Sequence, residues 1–187
     1  MQRLVLASKS PRRKELLDLL QIPFEIIVSE IDETINLKGD LKKEIENLAY
    51  RKAQKVFETN QDAIVVGSDT IVVIDNEVLG KPKDKKDAFR MLKMLSGNTH
   101  EVITGVCLLS KSKKDTFSST TKVKFNDLSD EEIEEYLNTK EPYDKAGAYA
   151  IQGLGAKYIN SIEGDYYTVM GLPIAEVYKR LKNFWFL

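Results

Sequence analysis

Short apolar runs that suit β-strands alternate along the chain with segments of helical periodicity, and this alternation constrains the fold most. Apolar residues that recur every second position indicate a strand, whereas a period near 3.6 indicates a helix. In the first half these segments follow one another at residues 3–7 (strand), 10–20 (helix), 23–30 (strand), 40–59 (helix) and 63–80 (two strand segments). The alternation predicts a mixed α/β architecture.

Turn and cap signals extend the same pattern through the second half. No repeat, low-complexity tract or linker interrupts it, so we expect a single domain over residues 1–187. The predicted features are a tight turn at Asp75-Asn76, a helix over 84–96 that ends before Gly97, a hairpin around the basic loop KSKKD, a helix with a capping box at Ser129 and Glu132, β-like structure over 146–171, and a last helix from Pro173.

Composition narrows the classes of protein to which the chain can belong. The net charge of −1 argues against a general nucleic-acid binder, which would carry a basic excess. A single cysteine, Cys107, excludes an internal disulfide, and a single histidine, His100, is a poor signal for zinc. No segment has the length of a membrane span or of a signal-peptide core, so we expect no membrane partner and a cytoplasmic location.

Three cations crowd the start of the first predicted helix. Ser10 suits the N-cap and Pro11 the first helical position, but Arg12, Arg13 and Lys14 follow in the first turn. A helix N-terminus already attracts anions through its unpaired N–H groups and its dipole. A bound anion would explain the arginines, and a basic surface turn is the competing interpretation.

Lys52 lies within the apolar stripe of the 40–59 helix, seven residues after Ile45. In the commoner arrangement the stem of such a lysine packs while its ammonium escapes to water, and taken alone this interpretation is favoured. The functional alternative is a lysine that points into a cleft holding an anion.

Asp69 is an aspartate between two apolar strand segments. A buried carboxylate is costly unless it is paired, hydrogen-bonded or bound to a metal. Gly-Ser-Asp-Thr also suits a turn or bulge, and the residues alone do not decide between the two. Glu33, in the acidic stretch SEIDET, would either be solvated or complete a divalent-cation site with Asp69, because Mg²⁺ prefers carboxylate and phosphate oxygens.

Two later segments add further candidate ligands. Lys81 follows Gly80 and precedes Pro82, and is either a surface-turn lysine or a fixed cation facing phosphate. Lys145 and Gln152 lie in the glycine-rich DKAGAYAIQG, where tight turns alone explain much of the composition. An amide such as that of Gln152 can both donate to and accept from a base edge. Together, the scattered cations and two carboxylates suit a polyphosphate with a metal, although no Walker motif is present.

Several motifs resemble the Maf family of nucleoside triphosphate pyrophosphatases, which has also been called septum-formation inhibitor. The resemblance covers nearly the whole chain, from about residue 4 to residue 181. In order, the motifs are ASKSPRRKELL, SEIDET, RKA, VVGSDTIVV, LGKP, LSGNTHEVITGV, EPYDKAGAYAIQG and YYTVMGLP.

The resemblance implies an elongated mixed β-sheet flanked by helices, with two lobes around a central cleft as in inosine triphosphate pyrophosphatases. It implies hydrolysis of dTTP, UTP or modified pyrimidine triphosphates to the monophosphate and pyrophosphate, with Mg²⁺ or Mn²⁺. Asp69 matches the proposed proton acceptor, and Glu33 and Asp69 are the expected metal ligands. The expected substrate-binding residues are Ser8, Arg12, Arg13, Lys52, Thr70, Lys81, Lys145 and Gln152.

Two further matters stay open on sequence alone. A non-catalytic, nucleotide-sensing regulator of cell division would use the same residues and is the alternative to an enzyme. The C-terminal NFWFL either packs into the core or forms a homodimer contact.

Overall fold

The computed structural model describes residues 2–28 and 30–185, which contain seven β-strands and six α-helices. The strands are β1 (Arg3–Leu6), β2 (Glu25–Ile26), β3 (Ala63–Ile74), β4 (Glu77–Leu79), β5 (Thr99–Leu109), β6 (Lys114–Phe125) and β7 (Ile159–Glu163). The helices are α1 (Pro11–Asp18), α2 (Leu41–Phe57), α3 (Lys85–Leu95), α4 (Asp130–Leu137), α5 (Tyr166–Met170) and α6 (Ile174–Trp185). Within this part of the chain, no helix is both long and apolar enough to cross a membrane.

All seven strands belong to one mixed sheet. Its order is β2-β1-β3-β5-β6-β7, and β4 pairs with β3 off this path. β1 runs parallel to both of its neighbours, with Val5 opposite Val65 of β3, whereas β4 and β7 pair antiparallel with β3 and β6. The predicted mixed α/β architecture is therefore confirmed.

The chain divides into two compact units. The first contains the residues up to Asp69, the segment Thr104–Ser119 and the residues from Gly171 onward. The second contains Thr70–Ile103 and Thr120–Met170. The predicted cleft between two lobes stays a prediction.

Helix α2 approaches strand β3 closely inside the first unit. A Cβ atom on Gly67 would lie 2.2 Å from the Ala49 carbonyl oxygen and 2.9 Å from the Cβ of Ala53. Only glycine permits this backbone-to-backbone approach. Lys52 is adjacent to Ala53, and Asp69 lies two residues beyond Gly67. The close approach of α2 to β3 therefore brings Lys52 near Asp69.

An aromatic cluster lies in the core of the second unit. His100 is 1% exposed, and its Nε2 lies 2.7 Å from the hydroxyl of Tyr149. The Phe125 ring packs edge-on against both. Burial lowers the pKa of His100 to about 4, which keeps the imidazole neutral near pH 7.

Several local predictions are confirmed. Asp75 and Asn76 form the turn between β3 and β4 with positive φ angles of 49° and 63°, as a tight hairpin requires. Gly97 has a φ of 67° just beyond α3. The capping box of α4 is complete, since Ser129 and Glu132 each accept the other's backbone N–H.

Three predicted elements are wrong in extent. The 23–30 strand shortens to Glu25–Ile26, because the four-residue β1 offers it only Val5 and Leu6 as partners. Residues 63–74 form one continuous strand rather than two segments, since Gly67 serves helix packing and not a turn. The 146–171 region contains two 3₁₀ turns and the helix α5, and β7 is its only described strand.

Candidate functional site

Asp69 and Lys52 form the centre of the candidate site. Lys52 Nζ donates to Asp69 Oδ2 at 2.5 Å and lies 2.9 Å from Glu33 Oε1. The Lys52 and Asp69 side chains are 16% and 18% exposed. The interpretation in which the Lys52 ammonium escapes to water is therefore wrong, because the lysine instead bridges two carboxylates. Asp69 also lies inside strand β3, so the turn interpretation is wrong as well.

Arg13 approaches Asp69 from helix α1. Its NH2 atom lies 3.9 Å from Asp69 Oδ1, while its Nε donates to the Gly171 carbonyl at 2.8 Å. Its NH1 donates to the Ser8 hydroxyl at 3.3 Å. Burial lowers the pKa of Arg13, and the Asp69 charge opposes this shift. Arginine nonetheless stays charged in proteins, so Asp69 lies between two cations.

The cations at the start of α1 have three different environments. Arg13 turns inward to the contacts just described, and Lys14 pairs with Asp18 on the surface at 2.6 Å. Arg12 is half-buried, and within residues 2–28 and 30–185 no hydrogen bond or ion pair engages its guanidinium. Ser10 is the N-cap residue, but its side chain makes no capping bond. Of the three cations, Arg12 is thus the one without a hydrogen-bond or ion-pair partner among the described residues.

The remaining candidate residues belong to the second unit. Thr70 follows Asp69 along β3, so its side chain faces the opposite side of the sheet. The Gly147 N–H donates to the Gly80 carbonyl at 3.1 Å, which joins the turn of Lys81 to the segment of Lys145. Lys145 Nζ donates to Asp144 at 2.5 Å.

Gln152 is exposed and directly precedes a turn fixed by Glu141. The Glu141 carboxylate accepts the N–H groups of Leu154 and Gly155, each at 2.9 Å, and the Tyr136 hydroxyl. Burial favours the neutral acid, but these hydrogen bonds outweigh it and lower the pKa of Glu141.

The structure thus gathers five predicted residues in the first unit, which also contains Arg12, and places Thr70, Lys81, Lys145 and Gln152 in the second. The gathered residues are Ser8, Arg13, Glu33, Lys52 and Asp69. The convergence of Arg12, Thr70, Lys81, Lys145 and Gln152 on this cluster stays a prediction.

Comparison with known proteins places the chain in a family. The family described as "Maf-like protein" matches residues 3–184. This chain belongs to the Maf-like protein family. The resemblance predicted from the motifs is therefore confirmed.

Curated relatives match the Maf-like chain over nearly its full length. A Bacillus cytotoxicus protein named dTTP/UTP pyrophosphatase is 53% identical over 184 residues, covering 98% of this chain and 96% of the relative. A Bacillus velezensis protein of the same name is 51% identical, with 98% and 97% covered. Among solved structures, the Staphylococcus aureus Ham1 protein matches with a TM-score of 0.49 at 12% identity, covering 84% of this chain and 91% of that one.

The donor set of this Maf-like chain suits a hard divalent cation held jointly with a substrate. Glu33 and Asp69 both lie within 2.9 Å of one cation, the Lys52 ammonium, so their oxygens can bracket a single positive centre. No group of three or more His, Cys, Asp or Glu side chains with metal-binding geometry occurs in the described residues. Two carboxylates completed by phosphate oxygens are a typical Mg²⁺ environment.

One contributor to the Maf-like site, a backbone carbonyl, was missed by sequence reasoning. The Gly171 carbonyl, in the YYTVMGLP motif, accepts hydrogen bonds from both Arg13 and the buried Ser68 hydroxyl, the latter at 3.0 Å. A backbone carbonyl carries no side-chain signal. Only the position of Gly171 within a recognised motif could have drawn attention to it.

Proposed function

We propose that this chain hydrolyses dTTP and UTP to the nucleoside monophosphate and pyrophosphate. One observation carries the proposal: the Asp69 carboxylate lies 2.5 Å from Lys52 Nζ and 3.9 Å from Arg13. This geometry occurs in a chain that is about half identical to proteins named dTTP/UTP pyrophosphatase. A carboxylate fixed between cations is equipped to orient water beside a polyanion.

In the proposed reaction, water attacks the α-phosphorus. A bond forms between the water oxygen and this phosphorus, and the bond to the oxygen that bridges to the β-phosphorus breaks. Pyrophosphate leaves with the electron pair, and the Asp69 carboxylate takes the water proton. Positioning of water and phosphate accounts for much of the acceleration in such reactions.

The cations of the cluster would hold the triphosphate. Arg12 and Arg13 place two guanidinium groups at the start of helix α1, and guanidinium groups donate well to phosphate oxygens. Lys52 would turn from its two carboxylates to the phosphates as the substrate enters. Lys81 and Lys145 would neutralise the negative charge of the remaining phosphate groups.

Glu33 and Asp69 would hold Mg²⁺ or Mn²⁺ together with substrate oxygens. When bound, such an ion neutralises phosphate charge and lowers the pKa of a coordinated water. Gln152 and Thr70 would recognise the O4 and N3–H edge of uracil or thymine, which cytosine lacks. Three further expectations stay predictions: a cytoplasmic location, the absence of a nucleic-acid partner, and a homodimer contact at the C-terminus. The last two residues of the C-terminus lie outside the described part.

A panel of triphosphates tests the proposal. Purified protein with Mg²⁺ or Mn²⁺ is incubated in H₂¹⁸O with dTTP, UTP, CTP, the purine triphosphates and modified pyrimidine triphosphates. We expect pyrophosphate from dTTP and UTP, with the ¹⁸O in the monophosphate. Orthophosphate with a diphosphate product would contradict attack at the α-phosphorus. Nucleotide binding without any release would instead indicate the regulator, which the names of the relatives do not favour.

A further inference from the structure

The loop that carries Glu33 has no regular secondary structure of its own. Residues 27–40 lie between β2 and α2, and their described part contains no helix or strand. The Glu33 side chain is 65% exposed, yet its carboxylate reaches Lys52 Nζ at 2.9 Å. An exposed acidic side chain on such a loop would ordinarily sample many positions. Something must therefore hold the backbone on both sides of Glu33.

Arg51 makes those contacts from helix α2. Its NH1 atom donates to the Asp32 carbonyl at 2.5 Å, and its NH2 donates to the Thr34 carbonyl at 2.8 Å. These are the two residues that flank Glu33. Because Arg51 binds backbone oxygens, it leaves the Glu33 carboxylate free for other ligands. The planar fork of arginine can hold two acceptors at a fixed separation, which the single ammonium of lysine cannot.

The loop contributes a second constraint at the same point. The Asp32 carboxylate accepts the Thr34 N–H at 2.9 Å and the Thr34 hydroxyl at 2.6 Å. This local turn brings the two carbonyls to one side, where the Arg51 fork meets them.

We propose that Arg51 is a positioning residue, which holds the backbone on either side of Glu33 so that its carboxylate is presented to the divalent cation of the nucleotide complex. The proposal rests on the proposed function for the role of Glu33. Two consecutive residues of α2 then have different roles: Arg51 fixes the loop backbone, and Lys52 bridges Glu33 to Asp69. Partners that orient metal ligands in this way commonly contribute about 10- to 100-fold in metal affinity.

The test compares Arg51→Met with Arg51→Lys, and uses Lys55→Met as a matched control. Lys55 lies one turn further along α2 and pairs with Glu58 on the surface. The first readout is the Mn²⁺ affinity of the protein bound to α,β-methylene-UTP, which cannot be cleaved between the α and β phosphorus atoms, measured by water-proton relaxation. The second is hydrogen exchange of the backbone amides in residues 30–36.

We expect Arg51→Met to weaken Mn²⁺ binding about tenfold and to speed exchange in residues 30–36. Arg51→Lys should lie in between, and the Lys55→Met control should match the unaltered protein. In a Glu33→Gln background, Arg51→Met should cause no further loss of Mn²⁺ affinity, because both changes then act on one ligand.

Three results would overturn the proposal: unchanged Mn²⁺ affinity in Arg51→Met, a full additional loss in the Glu33→Gln background, or no Mn²⁺ binding by the analogue complex of the unaltered protein. Failure of the proposed function is separately visible. If the protein releases no pyrophosphate from any triphosphate, catalysis is refuted, while the Mn²⁺ affinity of the uncleaved complex still decides the role of Arg51.

Discussion

Acidification should destabilise this protein through its single histidine. His100 is buried against Tyr149 and Phe125, and burial lowers its pKa from the usual 6.5 to about 4. Between these two values the unfolded chain binds a proton that the folded protein does not. Stability therefore falls as the pH drops through this window. Between pH 7 and pH 5, the difference between the folded and unfolded pKa values lowers the free energy of unfolding by about 2 kcal/mol.

Urea unfolding at pH 7 and pH 5 measures this loss, with His100→Gln as the comparison. Glutamine removes the titration and keeps an amide that can hydrogen-bond the Tyr149 hydroxyl. Because the chain has one histidine, the difference between the two proteins isolates its contribution. We expect the original protein to lose about 2 kcal/mol more than His100→Gln. Equal losses in the two proteins would refute a neutral, buried imidazole.

Three further predictions concern the first unit. Gly67→Ala should destabilise the fold by about 1–3 kcal/mol in urea unfolding, because its Cβ would meet the Ala49 carbonyl oxygen at 2.2 Å; a neutral effect would contradict the close approach. Lys52→Met should raise the KM for UTP about tenfold, whereas Lys55→Met should not; equal KM values would remove Lys52 from substrate binding. Cys107 is fully buried, and burial raises its pKa to about 12. A thiol reagent should therefore label Cys107 only after unfolding, and rapid labelling of the folded protein would contradict this burial.

Local signals in the sequence predicted local structure well. The Asp75-Asn76 turn, Gly97 after α3 and the capping box at Ser129 each depend on the chemistry of a few adjacent residues. The extents of strands were less predictable, because strand pairing is a long-range property. The 23–30 segment is apolar enough for a long strand, but the short β1 limits how far it can pair.

The candidate site was visible in the sequence as a set of anomalies. Lys52 within an apolar stripe and Asp69 between apolar strands each had an ordinary interpretation. The combined set of cations and carboxylates, and then the motif resemblance, favoured the functional one. The structure joins them because Gly67 lets α2 approach β3. The roles of Arg51 and of the Gly171 carbonyl were beyond sequence reasoning, since both depend on backbone oxygens of distant segments.

The central claim is that Asp69, in the cluster that it forms with Lys52 and Arg13, acts on the attacking water. The most direct measurement is the rate of pyrophosphate release from UTP by Asp69→Asn, together with its melting temperature. The amide keeps the size of the side chain but cannot accept the proton. We predict a loss in kcat of about 10²- to 10⁴-fold in a protein that is still folded. Pyrophosphate release at a near-normal rate from folded Asp69→Asn would contradict the account.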